Sequence, residues 1–323
     1  MKIIDTFLFS EPFEKEILFI KIFLGANIVN EWLIIENSFT FQGKYKGLFA
    51  QDIINSDSRF EPYRSRIKII SENYNPKNEA SSDSEAFKVE YWQRNLATKF
   101  INNLTDEDYF FISDADECVD GTDEKRKEEL LNALKKNPYN IYHVSCLRYW
   151  YDFDNQYEIL YGIPLVSVRY FKASGKQISE HRKENIGPCK QKWNNIICFE
   201  YSHCLDMASI VQKYSSFSHI GATLSDIKEG LMNNCRILPQ NKKQRLDYGP
   251  RNFFKIVQLN NYNSPSYVRE NLNSLKTRTV DVNYSENRKK NFPEIFSTKN
   301  IIKYYITFYL NYVLLNIKKF IFK

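Results

Sequence analysis

Short apolar runs rich in Ile, Val, Phe and Tyr alternate with stretches of helical period through the first half of the chain. This is the pattern of strand-helix-strand units around a mostly parallel sheet. It predicts strands near residues 2–9, 31–36, 67–71 and 109–113, with helices near 11–24, 84–103 and 124–137. The second helix spaces Phe87, Tyr91, Leu96 and Phe100 as a rough apolar stripe to cover one sheet face, leaving Glu90, Gln93, Arg94 and Asn95 for other duties. Residues 139–171 are dense in Tyr, Val and Ile with polar alternation, as expected of mixed or antiparallel strands added at the edge of that sheet. A polar loop over 173–194 and a strand near 196–201 follow, and helices near 207–216, 225–234 and 264–274 close the domain. The expected class is α/β, with one domain over 1–278.

The remainder, 279–323, differs in kind. Residues 279–293 are polar, and an apolar, aromatic stretch over 301–317 then runs into Lys318, Lys319 and Lys323. The stretch falls just short of the roughly 20 residues that span a bilayer, and Lys303, Asn311 and Asn316 interrupt it. An amphipathic helix lying on a membrane surface fits it, and so does a helix docked on the core or on a second subunit. At the other end, Asp5 breaks the apolar run early and no small-residue cleavage site follows, so no signal peptide is expected. Six cysteines without a C-x-x-C pair indicate neither a zinc site nor a disulfide framework. Together these predict a reducing, cytoplasmic setting, with contact to the inner face of a membrane through the tail.

Composition narrows the class further. With 323 residues, 43% hydrophobic and 26% charged, and only 10 Gly and 10 Pro, the chain is neither disordered nor fibrous. A net charge of +6 suits a phosphate-bearing ligand or an anionic surface and is too weak to argue for nucleic acid.

The sharpest candidate chemistry is Asp108-Tyr109-Phe110-Phe111-Ile112-Ser113-Asp114-Ala115-Asp116-Glu117, an apolar strand that ends in three clustered carboxylates. Carboxylates this close repel one another unless something positive offsets them, and hard cations such as Mg²⁺ or Mn²⁺ prefer oxygen ligands. Strand ends are also where open α/β sheets bind ligands. The same Asp-x-Asp spacing recurs at Asp106/Asp108 and Asp152/Asp154, but only Asp114/Asp116 terminates a buried-looking strand. A solvated turn, or a cap for the helix that starts near Asp123, is the plain alternative.

Four blocks in order carry a resemblance. They are Ile4-Asp5-Thr6-Phe7-Leu8-Phe9, Leu33-Ile34-Ile35-Glu36-Asn37-Ser38-Phe39-Thr40-Phe41-Gln42-Gly43-Lys44, Glu90-Tyr91-Trp92-Gln93-Arg94-Asn95 and Phe111-Ile112-Ser113-Asp114-Ala115-Asp116-Glu117. In that sequence they resemble glycosyltransferase family 17, which contains the β-1,4-mannosyl-glycoprotein β-1,4-N-acetylglucosaminyltransferases and bacterial relatives. The likeness extends more loosely through Lys213–His219 and residues 264–275. It implies a GT-A-type fold, a UDP-sugar donor, a divalent metal, Mn²⁺ or Mg²⁺, and inversion at the anomeric carbon. By the same matching, Asp114 faces the ribose and metal, Asp116 holds the metal at the diphosphate and Glu117 supports the cluster. Glu36 falls at the donor-side crevice, while Lys44 and Arg94 are cations placed to meet the diphosphate or nucleotide. His219, in a Lys-x-x-Ser-x-x-His spacing with Lys213, is a candidate to complete the metal site through its neutral imidazole.

The chain departs from the family where relatives carry Gly-Trp-His: Cys198-Phe199-Glu200-Tyr201-Ser202 puts Glu200 in place of the His. Glu200 is then one candidate for the general base, with His203 in its place if the register is shifted. Asp152, Asp154, Glu158 and Glu180 also stay open for that role. The expected activity is transfer of a sugar, GlcNAc from UDP-GlcNAc, to a glycan acceptor. Composition heavy in Lys, Asn and Ile suggests a bacterial or viral source, hence a surface polysaccharide or lipid-linked oligosaccharide as acceptor. Two other readings stand beside it: a UDP-sugar-binding protein without catalysis, and a metal-dependent phosphohydrolase.

Overall fold

The apolar runs become a sheet whose strand ends collect the polar residues. The computed structural model describes residues 1–76, 78–137, 141–183, 190–218, 223–232 and 254–280. Its strands of three or more residues are β1 (Ile3–Leu8), β2 (Glu31–Asn37), β3 (Ile67–Glu72), β4 (Tyr109–Asp114), β5 (Glu117–Val119), β6 (Ile141–Trp150), β7 (Asn155–Ser167) and β8 (Lys190–Ser202). The helices are α1 (Lys15–Gly25), α2 (Ala50–Ser56), α3 (Asp83–Asn95), α4 (Thr98–Asn102), α5 (Glu124–Lys136), α6 (Val168–Ser174), α7 (Ile178–Lys183), α8 (Met207–Ser216), α9 (Leu224–Met232) and α10 (Ser266–Lys276).

The strands lie in the order β3-β2-β1-β4-β7-β6-β8-β5. The first four pair in parallel, β7 is antiparallel to both β4 and β6, β8 runs parallel to β6, and β5 returns antiparallel on β8. All of these strands except β7 and β5 therefore point the same way and present their carboxyl ends at one edge. Only Ala115 and Asp116 separate β4 from β5, yet these two strands stand at opposite ends of the run β4-β7-β6-β8-β5. The sheet curls until β5, its last strand, comes back to the end of β4 at this turn. This is the mixed, mostly parallel α/β sheet with flanking helices that a GT-A-type expectation describes.

Alternation along each strand feeds two cores. On one face Ile3, Phe7, Trp32, Ile34, Tyr109 and Phe111 pack with Leu18, Phe19 and Ile22 of α1 and Leu130 and Leu134 of α5. On the other, Ile4, Leu8, Leu33, Ile35, Phe110 and Ile112 pack with Ala86, Val89, Ala97 and Ile101 around α3 and α4. Helix α1 is buried nearly all round, as its sequence Lys15-Glu16-Ile17-Leu18-Phe19-Ile20-Lys21-Ile22-Phe23-Leu24-Gly25 requires.

The helix expected over 84–103 is two helices, broken at Leu96–Ala97, and its inward face is not the aromatic stripe. Ala86, Val89, Glu90, Gln93 and Arg94 are buried, while Phe87 and Tyr91 stay half-buried and stack on each other at 5.6 Å. Polar groups face inward here because each meets a partner, Gln93 and Arg94 on strands and Glu90 on Arg94, so their burial leaves no lone charge. Helix α7 lies within the stretch expected as loop, and β8 begins at Lys190, ahead of the expected 196. Helix α2 and a 3-10 turn over Ser58–Arg66, capped by Asp57, add to the elements that the pattern predicts.

The chain divides into two units, Met1–Gly221 with Val257–Val280, and Ala222–Ile256 with Asp281–Lys323. The first contains the eight strands above. In the second, the described residues include α9, whose start is capped by Thr223 and Asp226. The predicted helix over 301–317 lies outside the described residues. No helix among the described residues is long and apolar enough to cross a membrane.

Candidate active site

The turn that joins β4 to β5 carries the three carboxylates, and each is met by a cation from elsewhere in the chain, Arg182 serving two of them. Asp114 closes β4. Its Oδ1 accepts from Arg94 of α3, and its Oδ2 accepts from Arg182 of α7 at 2.8 Å. Burial works against its charge, but the Arg182 and Arg94 guanidinium groups outweigh that and hold the carboxyl below the usual carboxylate range. Asp116 lies within the turn. Its Oδ2 is 3.1 Å from the Lys213 ammonium of α8, which also lies 2.8 Å from Glu14, just ahead of α1. The other Asp116 carboxylate oxygen has no side-chain or backbone partner among the described residues. The turn is fixed further by Tyr201, whose amide donates to the Asp116 carbonyl at 2.9 Å.

Glu117 opens β5 and is almost wholly enclosed. Its Oε2 accepts from the Asp114 amide at 2.8 Å, and its Oε1 accepts from Arg182 at 2.7 Å. Burial pushes its carboxyl up to about 7; Arg182 counters this, while the Asp114 and Glu200 charges add to it. A carboxyl raised above its unfolded value favours the fold when protonated, so its contribution is full at low pH and is lost as pH rises through about 7. Glu117→Gln is therefore expected to remove this pH dependence. Between pH 5 and 8, roughly the range over which such a group titrates, the wild-type melting temperature should fall relative to the variant. A difference that stays constant across a melting series in this range would show that Glu117 is not the titrating group.

The Gln93-Arg94-Asn95 block works as a junction. Gln93 donates to the Ile35 carbonyl at the end of β2, at 3.1 Å. Arg94 donates to the Ser113 carbonyl at 3.0 Å and to Glu90 at 3.1 Å, besides its contact with Asp114. Asn95 donates to Gln177 and accepts from the Ser179 amide, which ties down the start of α7 and so places Arg182. Glu90 in turn accepts from Ser218.

The other predicted residues are placed as follows. Both Glu36 oxygens accept backbone amides at the start of α2, from Phe49 at 2.7 Å and Ala50 at 3.0 Å, so this carboxylate caps a helix. Lys44 is exposed on the loop after β2, and the lysine that turns inward is Lys46, 3.6 Å from Glu36. Glu200 stands directly across from Glu117 on β8 and is held by Arg148 of β6, Nη2 to Oε1 at 3.0 Å and Nε to Oε2 at 2.7 Å. His219 lies outside the described residues. Of the open candidates, Asp152 and Asp154 both pair with Lys276 of α10, and Glu180 caps α7 through the Gln177 amide. The side chain of Glu158 also lies outside the description. His203 is buried with its ring stacked between Trp150 and Tyr214, both at 4.9 Å, and has a left-handed backbone, φ 58°. Tyr151 beside it has φ 69°, so two non-glycine residues hold costly conformations at the carboxyl ends of β6 and β8.

Sequence patterning assigns no role to Lys21, Glu14, Arg182 or Lys213. For Lys21 a signal exists: a lone lysine inside an apolar helix, matched by a lone aspartate, Asp5, inside an apolar strand. The two form a fully buried pair at 2.9 Å. Burial alone would lower the Lys21 ammonium, and Asp5 more than offsets it, so the group titrates above its ordinary value.

Among the described residues no three His, Cys, Asp or Glu side chains gather as an all-protein cage for a metal. What the turn offers is one unengaged oxygen of Asp116, with Asp114 beside it. That hard-oxygen donor set fits Mg²⁺ or Mn²⁺, which characteristically bind through one or two carboxylates together with waters and substrate phosphates.

No curated protein matches the chain. Among solved structures it is similar to galactosyltransferase LgtC in complex with donor and acceptor sugar analogs, at 9% identity and TM-score 0.34, covering 90% of this chain and 100% of that one. It is also similar to 2-C-methyl-D-erythritol 4-phosphate cytidylyltransferase of Francisella tularensis, at 9% identity and TM-score 0.31, over 71% of this chain and 97% of the other. A third is mannose-1-phosphate geranyltransferase of Thermus thermophilus, at 10% identity and TM-score 0.28, over 62% and 74%. The sequence profile decides the family, since it reaches from the first strand past the carboxylate turn and α8: over residues 1–237 the chain matches, and therefore belongs to, glycosyltransferase family 17.

Proposed function

We propose that this glycosyltransferase transfers GlcNAc from UDP-GlcNAc, with inversion and with help from a divalent cation, to a glycan acceptor that is a surface polysaccharide or lipid-linked oligosaccharide. The observation that carries the reading is the carboxylate turn at the shared carboxyl edge of the sheet. There Asp116 keeps one oxygen without a partner among the described residues, while Arg94, Arg182 and Lys213 converge on the same few residues. A nucleotide diphosphate brings negative charge and needs cations as it leaves. Mn²⁺ or Mg²⁺ held by Asp116 and Asp114 would supply Lewis-acid stabilisation of that charge.

The chain's own residues do the rest by fixed geometry. Arg94 and Arg182 hold Asp114 ionised and immobile, so the site does not reorganise as charge develops. Lys213 sets the direction of Asp116 by engaging one oxygen only. The buried pairing of Glu200 with Arg148 supports a structural place beside the turn, and the acceptor's base is left unassigned. The tail, 301–323, is proposed to bring the protein to the inner face of a membrane where a lipid-linked acceptor would lie.

The test is UDP release by the purified protein with Mn²⁺ and a panel of UDP-sugars. Release from UDP-GlcNAc that EDTA abolishes is the expected result. Release from a different UDP-sugar would replace the donor and keep the reaction class. UDP binding with no turnover over a wide acceptor panel would favour a binding protein.

A further inference from the structure

The floor of the carboxylate turn is a charged group with no access to solvent. Lys21 of α1 lies on the sheet face where Asp5 of β1 and Ser113 of β4 are the polar members of otherwise apolar rows. Its ammonium is 2.9 Å from Asp5 Oδ2, 2.9 Å from Ser113 Oγ and 3.1 Å from the Asp114 carbonyl oxygen, and it also donates to the Glu117 carbonyl. Ser113 Oγ in turn donates to Asp5 Oδ1. An ammonium has three donors, so these oxygens saturate it. The two carbonyls flank Ala115–Asp116 on either side.

Stability alone gives little reason for such a pair, because a buried ion pair can often be exchanged for apolar residues without loss. An apolar pair cannot, however, draw two carbonyl oxygens inward beneath one turn. With those carbonyls fixed below, the directions in which the Asp114 and Asp116 side chains leave the backbone are fixed as well. We propose that Lys21, held by Asp5 and Ser113, is a positioning residue that sets the geometry with which the Asp114–Glu117 turn meets a nucleoside diphosphate and its divalent cation. This rests on the donor site proposed above.

The test uses the full chain, with UDP and Mn²⁺ as the probe, isothermal titration calorimetry for affinity and thermal melting for stability. Asp5→Asn/Lys21→Met removes both charges together. It is expected to melt close to the wild type and to bind UDP–Mn²⁺ about tenfold more weakly, as when supporting groups behind metal ligands are removed. Ser113→Ala keeps both charges and removes the hydroxyl between them; a weaker affinity at unchanged melting temperature is expected, and this variant decides the matter if the double variant does not fold. A folded double variant that binds as tightly as the wild type overturns the positioning role, as does an unchanged Ser113→Ala when the double variant is unfolded. If the wild type itself binds no UDP with Mn²⁺, the donor site fails, and the positioning role with it.

Discussion

Asp116→Ala is expected to reduce UDP release by about a thousandfold or more while leaving the melting temperature nearly unchanged, since on the proposed function this substitution removes both an oriented charge and a ligand of the divalent cation. The fold tolerates the change for local reasons. Lys213 keeps Glu14 as its partner at 2.8 Å, and the amide of Tyr201 still finds the main-chain carbonyl at position 116. Asp116→Asn separates charge from shape: it retains an oxygen for Lys213 but is a poor ligand for a hard cation, so it is expected to fall nearly as far. Steady-state UDP release at saturating Mn²⁺, beside a melting curve for each variant, gives both numbers. If Asp116→Ala kept more than a tenth of the wild-type rate, the carboxylate turn would not be the donor site.

The turn is legible in the sequence because its signal is local. An apolar strand that runs without a break from Tyr109 to Ile112 and then gives three acids in four positions needs no tertiary information. The parallel strands β1 to β4 and helices α5 and α8 are legible on the same ground, since each has its own period and both helices have their own cap; Asp123 and Asp206 accept from the amides that open them. What balances the acids is only partly legible: Arg94 and Lys213 stand in blocks that the sequence singles out, but which acid each cation meets depends on contacts between positions far apart in the chain. Arg182 sits in a polar stretch that reads as loop. Arg94 faces inward on a helix whose aromatic residues imitate a buried stripe. Strand β5 is three residues long and exists only because β8, some eighty positions later in register Glu117↔Glu200, accepts it. Glu36 and Lys44, expected at the donor side, are placed by local geometry that the sequence does not announce: Glu36 caps the start of α2, Lys44 is exposed on the loop after β2, and Lys46 is the lysine that reaches Glu36.

Lys213→Met is expected to cost stability in a strongly pH-dependent way. The ammonium stands between Glu14 and Asp116, and removing one partner of a buried ionic cluster typically costs about 3–5 kcal/mol. For a chain of this size that is a fall of about 10 °C in melting temperature. Burial already raises the Glu14 carboxyl, the Asp116 charge adds to it, and Lys213 is the main group opposing them. Without the lysine, Glu14 moves further up. A group raised in the fold contributes fully below its unfolded value and loses that contribution as pH rises through the folded one. The variant should therefore lie closer to the wild type at pH 5 than at pH 8, since the upward shift of Glu14 favours its protonated form more as pH falls. Glu14→Gln added to Lys213→Met should recover most of the loss at the higher pH, because only Asp116 then remains charged. Mn²⁺ should raise the melting temperature of Lys213→Met more than that of the wild type, since the cation replaces the missing ammonium beside Asp116. Melting curves at the two pH values, with and without Mn²⁺, decide it: a loss of equal size at both would mean that Lys213 acts through packing rather than through charge.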